Sequence, residues 1–72
     1  MPEDVVAEIV ATVLEVSVGD GQEIATGDTL VLLESMKMEI PVVAEDPGTL
    51  DTVKVKVGDV IQAGDVIATY RA

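Results

Sequence analysis

Slid against itself by 37 positions, the chain matches without a gap, residues 5–35 falling on residues 42–72. Identity holds at Val5/Val42, Val6/Val43, Ala7/Ala44, Glu8/Glu45, Thr12/Thr49, Val16/Val53, Val18/Val55, Gly21/Gly58, Ile24/Ile61, Gly27/Gly64 and Asp28/Asp65, and pairs such as Val13/Leu50 and Leu30/Ile67 conserve apolar character. A short motif that occurs twice cannot bury its own apolar face, and the obvious cover is its copy. The expectation is one domain over residues 1–72, with halves 5–35 and 42–72 packed about a pseudo-twofold axis. Met36-Lys37-Met38-Glu39-Ile40 lies outside both copies, so residues 36–41 are expected to be the hairpin that joins them.

Within each half the pattern is that of short strands punctuated by glycine turns. The first half reads as an extended start at Val5–Val10, an alternating strand at Thr12–Val18, a turn at Gly19–Gly21, a short Gln22–Ala25 segment, a Gly27-Asp28 turn and a strand at Thr29–Glu34. The second repeats this as Pro41–Glu45, Thr49–Val57, Gly58–Ala63 and Val66–Arg71. Gly-x-x-Ile-x-x-Gly-Asp recurs because glycine tolerates the positive φ of a tight turn, while the isoleucine between the turns can plug a core. Tyr70 is the one aromatic residue, so that core must be made of Val, Leu, Ile and Ala, a composition that favours strands. No segment of ten residues holds a 3.6-residue apolar period free of Gly or Pro, and no helix is expected. The predicted fold is all-β, a flattened barrel or sandwich of two antiparallel sheets with internal duplication, a barrel-sandwich hybrid.

Several function classes are closed to such a chain. It has neither Cys nor His, and so no thiol nucleophile, no Ser–His pair and no thiolate or imidazole zinc site. Its formal charge of −10, with Lys37, Lys54, Lys56 and Arg71 as the cations, repels phosphate backbones, so nucleic acid is not an expected partner. The start is acidic where a secretory signal is basic, and the longest aliphatic run, Leu30–Leu33, is far too short to span a membrane. A soluble cytoplasmic protein, monomeric in isolation, is expected.

What remains is Lys37. A lysine at a turn is ordinarily a solvated charge that keeps a sheet edge soluble. Here Met36 and Met38 flank it where an exposed turn usually carries Gly, Asn, Asp or Ser. Methionine is unbranched and polarizable, and suits a surface handled by several partners. Lys54 and Lys56, by contrast, alternate with Val53, Val55 and Val57, as the outer face of a strand does. An enzyme that modifies an amine must surround it, which a hairpin tip permits and a sheet interior does not.

Glu34-Ser35-Met36-Lys37-Met38-Glu39 resembles the biotinyl-attachment site of the biotin carboxyl carrier family, and the likeness runs through nearly the whole chain. Lipoyl carriers are similar in fold and duplication but typically place Asp before and Ala or Val after their lysine. The unbroken repeat leaves no room for the thumb-like insertion of some biotin carriers. The resemblance implies that a biotin protein ligase joins biotin to Lys37 Nζ, with Met36 and Met38 beside it and Glu34, Ser35 and Glu39 orienting the loop for that ligase. A solvated lysine amine is almost wholly protonated at neutral pH, so activation must come from the ligase. Lysine stem and biotin tail together make an arm of about ten bonds, roughly 12–14 Å long. The resemblance further implies that this arm is carboxylated by a biotin carboxylase and unloaded at a carboxyltransferase, of acyl-CoA carboxylase type, so that the chain is a carrier and not itself an enzyme. Two other readings stay open on the residues alone: a lipoyl carrier, and an unmodified β interaction module.

Overall fold

The structure, a computed structural model, describes residues 3–72. Eight strands run in the order β1 (Val5–Val6), β2 (Ala11–Val16), β3 (Glu23–Ile24), β4 (Thr29–Ser35), β5 (Met38–Val43), β6 (Gly48–Val53), β7 (Val60–Ile61) and β8 (Val66–Tyr70). They form two antiparallel four-stranded sheets, ordered β1-β8-β6-β3 and β5-β4-β2-β7. Among the described residues there is no helix. The all-β sandwich expected from the sequence is the fold observed.

The duplication carries through to the hydrogen bonds. Adding 37 to each residue number lays β2 on β6 and β3 on β7, places β1 within β5, lays β4 over β8, and turns one sheet order into the other. Register follows: Val13↔Leu33 and Glu15↔Leu32 in one sheet correspond to Leu50↔Tyr70 and Thr52↔Thr69 in the other, each pair of steps enclosing the same irregularity. Each sheet draws two strands from each half, so neither half holds a complete sheet. The halves also clasp one another. Ala7 donates to the Asp65 carbonyl at 2.9 Å and accepts from Gly64 at 2.8 Å; Ala44 donates to Asp28 and accepts from Gly27, both at 2.8 Å.

The Gly-Asp turns explain their own recurrence. Gly27 and Gly64 sit at φ 93° and 94°, where a side chain is strained, and the carboxylates that follow them accept from the turn backbone. Asp28 takes the Ala25 amide at 2.8 Å and Asp65 the Gln62 amide at 2.9 Å. Between the turns Ile24 and Ile61 are buried, as expected. Leu30, Leu33, Leu50, Ile67, Val13 and Val31 are the largest fully buried side chains, each worth about 1.5–3 kcal/mol of burial. No polar or charged residue is buried among those described.

Strand boundaries depart from the sequence expectation where the chain changes sheets. The extended start at Val5–Val10 is a strand only over Val5–Val6, because β1 belongs to one sheet and β2 to the other, and the chain bends at Glu8 and Ile9 to cross between them. Thr49–Val57 is likewise too long. The Lys54 amide still reaches the Ile67 carbonyl at 2.8 Å, but the Lys56 amide is taken by the Asp59 carboxylate at 3.0 Å as the chain turns. Lys54 and Lys56 therefore lie past the end of β6, exposed, and not within a strand.

Candidate functional site: a lysine hairpin

Residues 36–41, expected as the joining hairpin, hold a hairpin turn at Met36-Lys37, but the rest of the segment is strand. β4 and β5 stay paired through Leu33↔Ile40, Glu34↔Glu39 and Ser35↔Met38, which leaves only Met36 and Lys37 to turn the chain. Pro41 sits inside β5 opposite Leu32, tolerated because β5 is an edge strand. A two-residue hairpin that matches the right-handed twist of its strands is of type I′ or II′, and type I′ needs positive φ at both central residues, the reason Asn-Gly is usual there. Met36 at φ 52° and Lys37 at φ 65° meet that need without glycine, and among the described residues they are the two non-glycine positions with positive φ. Each such residue costs about 1–2 kcal/mol, and backbone strain of this kind concentrates at functional positions.

The root of the hairpin is fixed and its tip is bare. Leu33 is buried, and Ile40, its cross-strand partner, packs against the core cluster. Further out, Met36 is 92% exposed and Met38 64%. Lys37, Glu34 and Glu39 are exposed as well, and Ser35 is partly exposed. All six residues singled out in the sequence thus gather at one end of the β4–β5 ribbon. Both methionines face solvent, where they cover nothing of the core.

Sequence reasoning missed two features here. One is the positive φ at both turn residues, which follows from the type I′ form of this two-residue turn. The other is that Glu34 and Glu39 are direct cross-strand neighbours. Like charges opposite one another destabilise a sheet, and this pair stands on the ribbon that carries the lysine.

Among the described residues nothing around the lysine forms a reaction chamber. A groove of about 640 Å³ opens between β1 and β5, floored by Leu33 and Val42 and rimmed by Glu8, Glu45 and Asp46, but none of Glu34 to Glu39 lines it. No group of three His, Cys, Asp or Glu could hold a metal ion among the described residues. The geometry serves presentation: an amine held away from a rigid body, open on all sides to a larger protein.

Comparison with known proteins agrees. A family model described as "Biotin-requiring enzyme" matches residues 1–70. The chain belongs to the biotin/lipoyl attachment family. Among relatives of this biotin/lipoyl family member, a biotinylated protein TB7.3 homolog from Mycobacterium leprae is 68% identical over 68 residues, covering 94% of this chain and 96% of the relative. The biotin-dependent acyl-coenzyme A carboxylase alpha3 subunit of the same organism is 44% identical over 67 residues, which are 93% of this chain and 11% of the subunit. Among solved structures, a single-chain, multi-domain long-chain acyl-CoA carboxylase superposes with a TM-score of 0.84 at 32% identity over 97% of this chain and 7% of that one. The chain therefore corresponds in length to the small biotinylated protein and to a minor segment of each carboxylase.

Proposed function

We propose that this protein is a biotin carboxyl carrier, with biotin joined through an amide to Lys37 Nζ. The observation that carries the proposal is the two-residue turn: it projects Lys37 from the end of a paired ribbon, between two exposed methionines, with the body behind it fixed by the core. An accessible primary amine is what the attachment of biotin requires. Met36 and Met38 offer soft apolar contact to whatever surrounds the amine, and Glu34, Ser35 and Glu39 present polar groups from the same ribbon to a biotin protein ligase. Once bound, biotin supplies a ureido nitrogen that takes up and gives back a carboxyl group.

The chain's own contribution is positional. A rigid β body offers the hairpin in one shape to each partner, so its ordering is not repeated at every encounter. Tethering raises the local concentration of the reactive group to around the mM range within reach of the arm. The partners in this scheme are a biotin carboxylase and a carboxyltransferase of acyl-CoA carboxylase type, and the carrier catalyses neither step. The test is intact mass with tryptic mapping of the natively expressed chain, together with a streptavidin blot. A biotinyl increment on the Lys37 peptide is expected; the same increment on Lys54 or Lys56 refutes the site, and a lipoyl increment refutes the cofactor.

A further inference from the structure

The internal twofold supplies a control within the molecule. It relates the outer face of the sheet β5-β4-β2-β7 to the outer face of β1-β8-β6-β3, so the two faces share backbone, register and bulges. Four apolar positions of the first face are not matched on the second, although Thr29 on the first stands where the second has Val66. Val10, Leu14, Leu32 and Val60 on the first face stand where the second has Pro47, Asp51, Thr69 and Glu23. Val10 and Val60 are 60% and 69% exposed. Leu14 and Leu32 are half-buried yet stand outside the core cluster: Val31 and Leu33 beside Leu32 point inward, and Leu14 is the extra residue of β2 where its register with β4 shifts. The fold itself does not demand these apolar residues, since their twins serve in the same backbone with a polar side chain at three of the four places.

We infer that this face is the docking surface for the biotin carboxylase that takes up the hairpin, and that what covers it there is an apolar patch bordered by lysines or arginines. Three observations choose that occupant. The face continues directly into the ribbon bearing Lys37, since β4 and β5 belong to this sheet and not to the other. Glu15, Glu34 and Glu39 are exposed on β2, β4 and β5 of this same sheet, and the chain carries a formal charge of −10, so a cationic border is complementary. The face is four short strands wide, roughly 300 Å² at ordinary strand spacing, well under the ~800 Å² per partner of a stable interface. A second copy of this acidic chain is thereby disfavoured, and a partner that must grip and release is favoured. The inference rests on the carrier reading for the identity of the partner.

The test exchanges one face for the other. Leu14→Asp, Leu32→Thr and Val60→Glu together give the apolar face the residues its twin already carries, and Asp51→Leu, Thr69→Leu and Glu23→Val make the mirror variant. Each chain is biotinylated to completion, verified by intact mass, and offered to a purified biotin carboxylase subunit that has no carrier segment, with bicarbonate and MgATP. The first variant is expected to raise KM for the carrier at least tenfold with kcat within twofold, and the mirror variant to leave both unchanged. In parallel, the unbiotinylated ¹⁵N-labelled wild-type chain is titrated with the same carboxylase. Shifts or broadening are expected at Leu14, Leu32 and Val60, and not at Asp51, Thr69 and Glu23. Equal KM for wild type and first variant, or amide shifts on the mirror face, overturns the inference. Loss of folding in the first variant leaves the titration of the wild-type chain to decide. Absence of biotin from Lys37 in the wild type overturns the carrier reading instead, and the titration, which needs no biotin, still reports on the face.

Discussion

Replacing Met36-Lys37 by Asn-Gly should make the protein more stable while destroying its function. Both residues occupy the left-handed region, at φ 52° and 65°, and each non-glycine residue there costs about 1–2 kcal/mol. Asn tolerates the region and Gly is at ease in it, so most of that strain is relieved. Glycine returns part of the gain, about 0.5–1 kcal/mol, by widening the unfolded ensemble. Neither side chain contributes burial to lose, Met36 being 92% exposed and Lys37 exposed. The net expectation for Met36→Asn with Lys37→Gly is a gain of about 1–2 kcal/mol, or a rise in Tm of roughly 5–15 °C for a chain of this size. Thermal unfolding followed by circular dichroism, with urea titration for the free energy, measures it. Met36→Ala, which keeps a non-glycine residue at positive φ, should leave Tm nearly unchanged. A double variant that melts at or below the wild-type temperature would mean that the turn is not strained, and the link between backbone strain and display of the amine would fall.

Other outcomes follow from the same structure. Gly27→Val and Gly64→Val should each destabilise by about 1–3 kcal/mol; a Cβ at either place meets no atom within 4 Å, so the cost is one of backbone alone and should be equal at the two twins, which parallel urea titrations can check. Lys37→Ala should abolish streptavidin binding with stability within about 0.5 kcal/mol of wild type; residual label would point to another lysine. Burial and then the Asp46 carboxylate raise the pKa of Tyr70 above its ordinary value, while its hydroxyl donates to the Asp46 carbonyl at 2.8 Å. The unfolded state therefore loses this proton first as pH rises past ~10, and stability present below that pH is lost above it. Tyr70→Phe should be less stable at neutral pH yet lose less on going to alkaline pH, read as the difference between the two chains in urea midpoint against pH.

Much of the architecture was legible because the chain writes it twice. The offset of 37 residues predicted a pseudo-twofold relation, and it appears in paired hydrogen bonds such as Ala7 to Asp65 and Ala44 to Asp28. The recurrent Gly-x-x-Ile-x-x-Gly-Asp could be interpreted residue by residue, since the positive φ of glycine, the aspartate that closes the turn and the buried isoleucine are local consequences of side-chain chemistry. Lys37 could be set apart by its flanking methionines and its place outside both copies, whereas the strand assigned to Lys54 and Lys56 ends before them at Val53. The ends of the strands could not be found in this way. Val5–Val10 has strand composition throughout, but whether it continues as strand depends on which sheet receives the next segment, and that is a contact between residues far apart in sequence.

By itself the sequence determined the class of fold, the duplication, an aliphatic core and which amine is out of place, for these depend on side-chain character and spacing within reach of one turn. Only the tertiary structure decided that the linking segment is mostly strand, that Met36 and Lys37 carry the whole reversal at positive φ, that Glu34 faces Glu39, and which of two equivalent faces adjoins the lysine. Each of these is a matter of register between strands. Register is fixed by pairing across the sheet and by the burial of one face against the other half, and neither exists until the two copies have come together.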